Sequence, residues 1–332
     1  MSEADAAPLR TAIVLCTYNG AEFLREQLDS FLRQVRLPDE IVIADDASTD
    51  ATWPTLQAFA DDARQRGIGV DLQRNPANLG YVCNFGAALA RATAELVFLS
   101  DQDDIWHVEK LARMTREFER RPGLGLLHTD ARLVDRGGRD LGHGLFEAFE
   151  ITAEEIAREH AGDAFEVLLR RNTATGATMA LRRDLLARLL PVPEGWVHDE
   201  WLAMGVSLMA QVDCLEWRSI DYRQHGGNQI GARIRSAREK LLGAGASKRE
   251  FMAKVAQRLA QTQERIAAAG LALPPDKTTQ LRERIAHARF RASLPTAALR
   301  RFRDVSAEAA SGRYGRYSSG LRSIVSDLLD MN

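Results

Sequence analysis

Two acidic runs lie in the first third of the 332-residue chain: Asp45-Asp46, leading into Ala47-Ser48-Thr49-Asp50, and Asp101-Gln102-Asp103-Asp104. Two unit charges about 4 Å apart cost on the order of 4 kcal/mol at an effective dielectric near 20, so carboxylates gathered this way want a cation or hydrogen-bond donors. An Asp-x-Asp triplet on a loop offers hard oxygen ligands for Mg2+ or Mn2+, with a substrate diphosphate completing the set. Taken alone the triplet also fits a capped surface turn; its position after a strand and beside the Asp45 run favours the metal. Two later segments carry further chemistry. His198-Asp199-Glu200-Trp201 offers carboxylates between aromatic residues, Trp196 and Trp201. In Tyr222-Arg223-Gln224-His225-Gly226-Gly227, His225 suits Mn2+ or a phosphate, Arg223 suits a diphosphate, and the glycine pair suits a hinge. A strand-end turn with a surface histidine is the competing reading of that segment.

The elements that position these residues follow from periodicity. Thr11–Cys16, Glu40–Ala44, Gly69–Gln73 and Glu95–Leu99 read as strands, and Gly20–Gln34, Asp50–Arg66 and Tyr81–Arg91 as helices between them, with Ser48 or Asp50 capping the second. This alternation predicts a parallel α/β sheet with right-handed crossovers. Farther on, His107–Arg120 reads as a helix, Leu124–His128 as a strand, Asp135–Asp140 as a turn and Ala174–Leu181 as a strand. Asp184–Leu190 and Asp199–Met209 read as helices, Gln211–Trp217 and Ser219–Tyr222 as two strands. In open α/β sheets ligands bind beyond the carboxyl ends of the strands, where both acidic runs fall. No glycine fingerprint follows the first strand and no GxxxxGK[ST] loop occurs, so this edge does not hold phosphate on glycine-rich backbone.

Composition sets the outer bounds. Hydrophobic residues make up 45% and charged residues 27%, which fits a soluble globular protein of about two domains. Three scattered cysteines, Cys16, Cys83 and Cys214, exclude a disulfide framework, and the acidic first ten residues lack a signal-peptide core, so a cytoplasmic location is expected. The net charge of −2 hides an asymmetry. Residues 1–232 hold 24 Lys+Arg against 37 Asp+Glu, and residues 233–332 hold 20 against 9. The expected division is therefore one domain over 1–232, with halves at about 11–106 and 107–232, and a basic helical region over 233–332. In that region Gly312–Leu329, with Arg, Tyr, Leu321, Ile324, Val325, Leu328 and Leu329, reads as an amphipathic helix suited to the inner-membrane surface. Packing on the catalytic domain and dimerisation are the competing roles. No nucleic-acid reader motif is present.

The ordered segments VLCTYNG (14–20), EIVIADDASTDAT (40–52), NLGYVCNFGAALARATAELVFLSDQDDIW (78–106), TGATMALRR (175–183), HDEW (198–201) and YRQHGGN (222–228) together resemble family 2 glycosyltransferases of the GT-A fold, over about residues 11–230. SDQDDIW and the late YRQHG are similar to bacterial rhamnosyltransferases of surface-polysaccharide (O-antigen) assembly. The resemblance implies an α/β fold, a Rossmann-like mixed sheet flanked by helices, followed by a helical C-terminal region. It implies a nucleoside diphosphate sugar donor, with dTDP-L-rhamnose the expected one, and a polyprenyl-pyrophosphate-linked glycan acceptor. Residue by residue, it places Tyr18 against the base with Thr17 and Asn19 beside it, and has Asp45 accept from a pyrimidine ring nitrogen. Asn78, Asn84, Asp101, Gln102 and Arg223 fall on the nucleotide-sugar, Asp103 on the metal with His225 as a further candidate, and Asp199 on the general base. Trp196, His198, Glu200 and Trp201 fall on the acceptor side. His198 stands where the family more commonly has glutamate, so Glu200 competes with Asp199 as base. A single base without a nucleophilic partner implies inversion. A sugar nucleotidyltransferase would have no use for Asp199, and a non-catalytic scaffold would not need intact Asp101, Asp103 and Asp199.

Overall fold

The computed structural model describes residues 8–226, 248–268, 270 and 272–329. The described residues form two compact units. One holds those up to Ala164 and from Thr173 to the end of the sheet; the other holds Phe165–Asn172 and those from Lys248 onward.

The first unit is built on a nine-stranded mixed sheet. Its N-terminal half is β1 (Thr11–Thr17), α1 (Leu24–Leu32), β2 (Glu40–Asp45), α2 (Thr52–Gln65), β3 (Gly69–Arg74), α3 (Tyr81–Leu89) and β4 (Leu96–Ser100). Strands β3, β2, β1 and β4 lie side by side and parallel, with Thr17 opposite Asp45 and Leu15 opposite Ser100. Both faces of β1 and β2 are covered, which is why they read as unbroken apolar runs rather than alternating ones. Leu24, Leu28 and Phe31 of α1 pack into the same core as Ile13, Ile41 and Phe98.

The second half adds β5 (Ile105–Trp106), α4 (Lys110–Arg120), β6 (Leu124–Val134), β7 (Asp140–Gly144), α5 (Leu145–Ala148), α6 (Ala153–His160), α7 (Ala164–Arg170), β8 (Ala180–Arg182), α8 (Leu186–Leu189), α9 (His198–Met209) and β9 (Gln211–Arg223). Here pairing turns mixed. Strand β8 runs antiparallel to β4 and β6, while β9 runs parallel to β6 and antiparallel to β5. Because β8 opposes β4, the segment entering β8 arrives at the edge where β4 ends.

Four local expectations change. Helix α2 begins at Thr52, not Asp50: Asp50 Oδ1 accepts the Thr52 N–H at 2.9 Å from outside the helix, and the Ser48 hydroxyl is taken by Asp45. Residues 174–181 are not one strand, since Gly176–Thr178 is a single 3-10 turn and only Ala180–Arg182 pairs. The two late strands are one, Gln211–Arg223, with register shifts absorbing the irregularity. Asp184–Leu190 shortens to a 3-10 turn followed by α8.

The second unit is helical: α7, then α10 (Lys248–Ala268), α11 (Pro275–Ala292), α12 (Ala298–Ala310), α13 (Arg313–Tyr317) and α14 (Leu321–Leu328). The expected amphipathic helix over 312–329 is broken at Ser318–Gly320, where Gly320 has a positive φ of 52°. Its tyrosines do not face outward. Tyr314 and Tyr317 are buried, Tyr314 donating to Asp327 at 2.6 Å and Tyr317 to Glu283 at 2.9 Å, while Arg291 pairs with both oxygens of Asp327. Ile324 and Leu328 turn inward with them, and Leu321, Val325 and Leu329 remain exposed. Among the described residues, no helix is long and apolar enough to cross a membrane.

Candidate active site

The parallel strands β1, β2 and β4 end together, so their loops meet. Asn19, at a φ of 48° that asparagine tolerates better than most residues, binds both neighbours of the second loop: its N–H donates to Ser48 Oγ at 2.9 Å, and its Oδ1 accepts the Thr49 N–H at 2.8 Å. Gln102 joins the first loop to the acidic one. Its Oε1 accepts the Tyr18 N–H at 2.8 Å and its Nε2 donates to the Tyr18 carbonyl at 3.1 Å. A Cβ on Gly20 would lie 2.2 Å from that amide oxygen, so glycine there is what lets Gln102 lie across the loop. The Tyr18 ring, held by its backbone, is 47% exposed and free to stack on a planar group.

Asp45 is fully buried and accepts from Thr17 Oγ1 at 3.0 Å and from the Ser48 N–H at 3.1 Å, with Arg74 Nε 3.3 Å away. A base N–H reaching Asp45 must take the place of one of these donors. Asn84 is also buried, donating to the Ala44 carbonyl at 3.0 Å and accepting from Asn75 at 2.9 Å. It props the edge from below and does not reach the ligand side as its expected role requires. Asn78 is exposed and accepts the Gly80 N–H at 3.1 Å.

The acidic loop gathers its charge tightly. Burial and the charges of Asp103 and Asp199 push the Asp101 carboxyl up to about 7. Burial, Asp103 and Asp101 raise Asp104 well above the usual carboxylate range. Asp104 Oδ1 accepts the Arg223 N–H at 3.1 Å, while Oδ2 is buried with no hydrogen-bond partner among the described residues. Nε2 of His225 lies 2.8 Å from Oδ2 of Asp103. A carboxylate oxygen and an imidazole nitrogen 2.8 Å apart fit two positions of a Mg2+ or Mn2+ shell, with a substrate diphosphate supplying further oxygens. Among the described residues, the groups of three or more His, Cys, Asp and Glu whose ligand atoms lie within 4.8 Å of one another are His128–Glu159–Cys214 and His160–Asp213–Cys214; the acidic loop offers the pair Asp103 and His225 without a third protein ligand that close. In each of the two groups the carboxylate already pairs with the imidazole, His128 2.7 Å from Glu159 and His160 2.7 Å from Asp213.

Asp199 reaches this edge from the first turn of α9. Its Oδ2 accepts the Gly176 N–H at 3.1 Å, which ties it to the turn entering β8. Because that turn enters β8 beside the end of β4, Asp199 lies at the edge where the acidic loop begins, and its charge helps to raise the Asp101 carboxyl. Glu200 is half-buried beside it, and both raise the phenol of Tyr81, whose main shift comes from burial.

Four expected ligand contacts are not what the structure brings to the edge. Arg223 is buried, donating to the Asp103 carbonyl at 2.9 Å, the Arg136 carbonyl at 2.9 Å and Glu26 at 2.6 Å, with its guanidinium 4.8 Å over Phe23; it braces the acidic loop instead of pairing with a diphosphate. His198 is buried and stacked on Phe85 at 4.1 Å. Trp196 and Trp201 are buried edge to face at 5.5 Å, and Trp201 donates to the Leu189 carbonyl at 2.8 Å. These three pack the core behind Asp199 and do not line an acceptor cleft, the outcome of a helix whose N-terminus alone meets the edge.

Four residues outside the expected set also belong here. Asp46 accepts from the N–H groups of Leu79 and Gly80 at 2.8 and 2.9 Å, fixing the start of α3. Gly176 donates to Asp199, Lys110 to the adjoining Ala177 carbonyl at 2.7 Å, and the Tyr81 ring lies 6.1 Å from that of His198. Tyr81 stood inside the NLGY run and Gly176 inside TGAT, but spacing gave neither a chemical role. Gly227 lies outside the described residues, so the glycine hinge is not placed.

The chain matches the family "Glycosyl transferase family 2" over residues 12–190, and it belongs to that family. Its mixed sheet flanked by helices, followed by helices, is the GT-A fold. An uncharacterized glycosyltransferase of Nostoc sp. (strain PCC 7120) is 26% identical over 227 residues, a stretch that spans 66% of each chain, just under two thirds of that relative. Among solved structures, S. aureus TarS 1-349 in complex with UDP-GlcNAc superposes with a TM-score of 0.56 at 18% identity over 93% of both chains. The mannosyltransferase PcManGT from Pyrobaculum calidifontis, in complex with GDP-Man and Mn2+, gives 0.54 at 19% identity over 98% of this chain and 89% of its own. Identities this low speak to the fold.

Proposed function

We propose that the protein is a metal-assisted, inverting glycosyltransferase that moves a sugar from a nucleoside diphosphate sugar to a hydroxyl of a growing bacterial surface glycan. The observation that carries this reading is the 3.1 Å hydrogen bond from the Gly176 N–H to Asp199 Oδ2, made by the turn that enters β8 beside the end of β4, where the acidic loop begins. A carboxylate that deprotonates an incoming hydroxyl must stand near the group that holds the departing diphosphate, and this bond supports that placement.

In this reading Tyr18 stacks on the base, and Asp45 and Thr17 meet its edge. Asp101 faces the ribose or sugar. Asp103 and His225 hold a divalent cation, which when bound supplies positive charge to the leaving diphosphate. Asp199 takes the acceptor proton, a contribution of ~10²–10⁴-fold for a well-placed base. The Gly176 N–H donates to Asp199 Oδ2 at 3.1 Å and the Glu200 N–H to Oδ1 at 2.6 Å, so both oxygens are oriented and each keeps a lone pair for the acceptor. With Asp199 as the single base, the reading is a direct displacement with inversion.

For the donor we propose dTDP-L-rhamnose, on the resemblance carried by SDQDDIW and YRQHG, and for the acceptor a polyprenyl-pyrophosphate-linked glycan at the inner-membrane surface. The exposed Leu299, Phe302, Leu321 and Leu329 beside Arg300, Arg303 and Arg322 suit such a surface. The test is a panel of dTDP-rhamnose, UDP-GlcNAc and GDP-mannose, scored by release of nucleoside diphosphate with Mn2+ and with EDTA. Metal-dependent release from one donor is the expected result. Binding of every nucleotide with no metal effect and no release would leave a scaffold in place of an enzyme.

A further inference from the structure

Lys110 opens α4, yet its side chain is fully buried. An isolated ammonium taken from water is expensive, so a lysine held there needs partners that neutral side chains would not supply. Its Nζ donates to the Ala177 carbonyl at 2.7 Å and sits 3.8 Å over the centre of the Trp106 ring. Asp104 and Asp101 act on it by charge, against a burial that lowers its pKa to about 7.

The Ala177 carbonyl is the middle of the Gly176–Thr178 turn. That turn is closed by the Thr178 and Met179 N–H groups, donating to Thr175 and Gly176 carbonyls at 2.9 Å each, and joined to β4 where Met179 O accepts the Leu99 N–H at 3.1 Å. Strand β4 therefore fixes one end. The other end carries the Gly176 N–H that holds Asp199 Oδ2. A Cβ on Gly176 would lie 3.0 Å from His198 Nε2 and 3.5 Å from Asp199 Cβ, so the backbone comes close to the α9 terminus only because no side chain intervenes. Among the described residues, the side-chain hydrogen bond reaching the carbonyl between those two ends comes from Lys110.

We propose that Lys110 is a positioning residue for Asp199: its ammonium, seated on Trp106 two residues past Asp104, holds the Ala177 carbonyl and so sets the turn whose Gly176 N–H aims the Asp199 carboxylate. The proposal rests on Asp199 being the base. It adds that the acidic loop and the base are linked through one buried cation, so the geometry of deprotonation depends on a residue that touches neither sugar nor metal. A displacement of about 1 Å at a reacting group can cost ~10²-fold in rate, which sets the scale of the effect.

The experiment uses the full chain with the donor that is turned over in the panel above. Lys110→Met keeps the length of the side chain and removes the charge and the donor; Lys110→Arg keeps both. Each is made alone and with Asp199→Asn, and each is accepted for kinetics once its circular dichroism and thermal melt match a folded protein. For Lys110→Met the expected result is a fall in kcat of roughly 10- to 100-fold, with donor KM and Mn2+-dependent binding of the nucleoside diphosphate within about twofold, the pattern of a lost transition-state interaction. Lys110→Arg restores most of that kcat. In the Asp199→Asn background Lys110→Met costs less than about twofold, because a positioning effect on a missing base has nothing to act on. Hydrogen exchange of the peptide spanning Gly176 is faster in Lys110→Met, a readout that needs neither acceptor nor turnover. Wild-type kcat in Lys110→Met, or an equal fall with and without Asp199, overturns the proposal. Wild-type turnover by Asp199→Asn alone overturns the base assignment instead, and unchanged Gly176 exchange in Lys110→Met overturns the mechanical link whatever the base is. If Lys110→Met does not fold, Lys110→Leu, which also lacks the charge and the donor, carries the same comparison.

Discussion

His225 Nε2 lies 2.8 Å from Asp103 Oδ2, across 122 positions of sequence. The two are brought together because β5, which follows the acidic loop directly, pairs antiparallel with β9, so the residues just before β5 meet those just past β9. A contact of this kind, between a carboxylate among other acids and an imaginable nitrogen ligand, predicts a specific hierarchy. Asp103→Ala removes the Mn2+-dependent part of nucleoside diphosphate binding in calorimetric titration. His225→Ala weakens it, and His225→Asn lies between. Equal binding with and without Mn2+ in the unaltered protein would remove the premise.

Asp199 and Glu200 make a second pair to separate. Asp199→Asn is expected to lower turnover ~10²–10⁴-fold, while Glu200→Gln lowers it by less than about tenfold. Nucleotide binding is retained in both. The reverse order would move the base to Glu200, whose side chain is half-buried next to Tyr81.

Acid should destabilise the protein through His198. Burial, opposed by Asp199, holds its pKa below the ordinary 6.5. The unfolded chain then takes up a proton before the folded one does, so stability present above pH 6.5 is lost as pH falls below it. His198→Phe keeps a ring on Phe85 and removes the proton site. Its melting temperature between pH 6.5 and 5 is expected to fall less steeply than that of the unaltered protein.

Arg223→Ala is expected to cost about 2 kcal/mol or more in urea unfolding, since the buried carbonyl of Asp103 loses its donor and the ring of Phe23 loses a cation. Arg223→Lys recovers little, because one ammonium cannot reach Asp103, Arg136 and Glu26 together. A wild-type midpoint in Arg223→Ala would show that the acidic loop holds its shape unaided.

The alternation of strands and helices up to Ser100 was legible because each parallel strand is an apolar run bounded by turn residues. The acidic loop was legible because carboxylates at strand ends carry chemistry by type alone. What stayed hidden was set by pairing across the chain. Arg223 looked like a phosphate ligand until Glu26 and two carbonyls were seen to surround it, and Trp196 and Trp201 looked open until α9 turned them inward. The 174–181 segment is apolar enough for a strand, and only the demand of Asp199 for a backbone N–H shows why it turns at Gly176. Lys110 gave no signal, since a lysine at a helix start is ordinarily solvated.

Residues 165–172 belong with the C-terminal helices although the chain on either side of them belongs with the sheet. Arg284 donates to the Leu169 carbonyl at 2.8 Å, and Gln280 to Glu166 at 2.7 Å. The backbone therefore leaves the sheet unit, visits its companion and returns before completing the base-bearing helix. Cutting the protein at a single peptide bond cannot yield two whole parts: a truncation after the sheet would strand one helix without its bed, and a chimera that exchanges the basic end for another must carry this short excursion along with it.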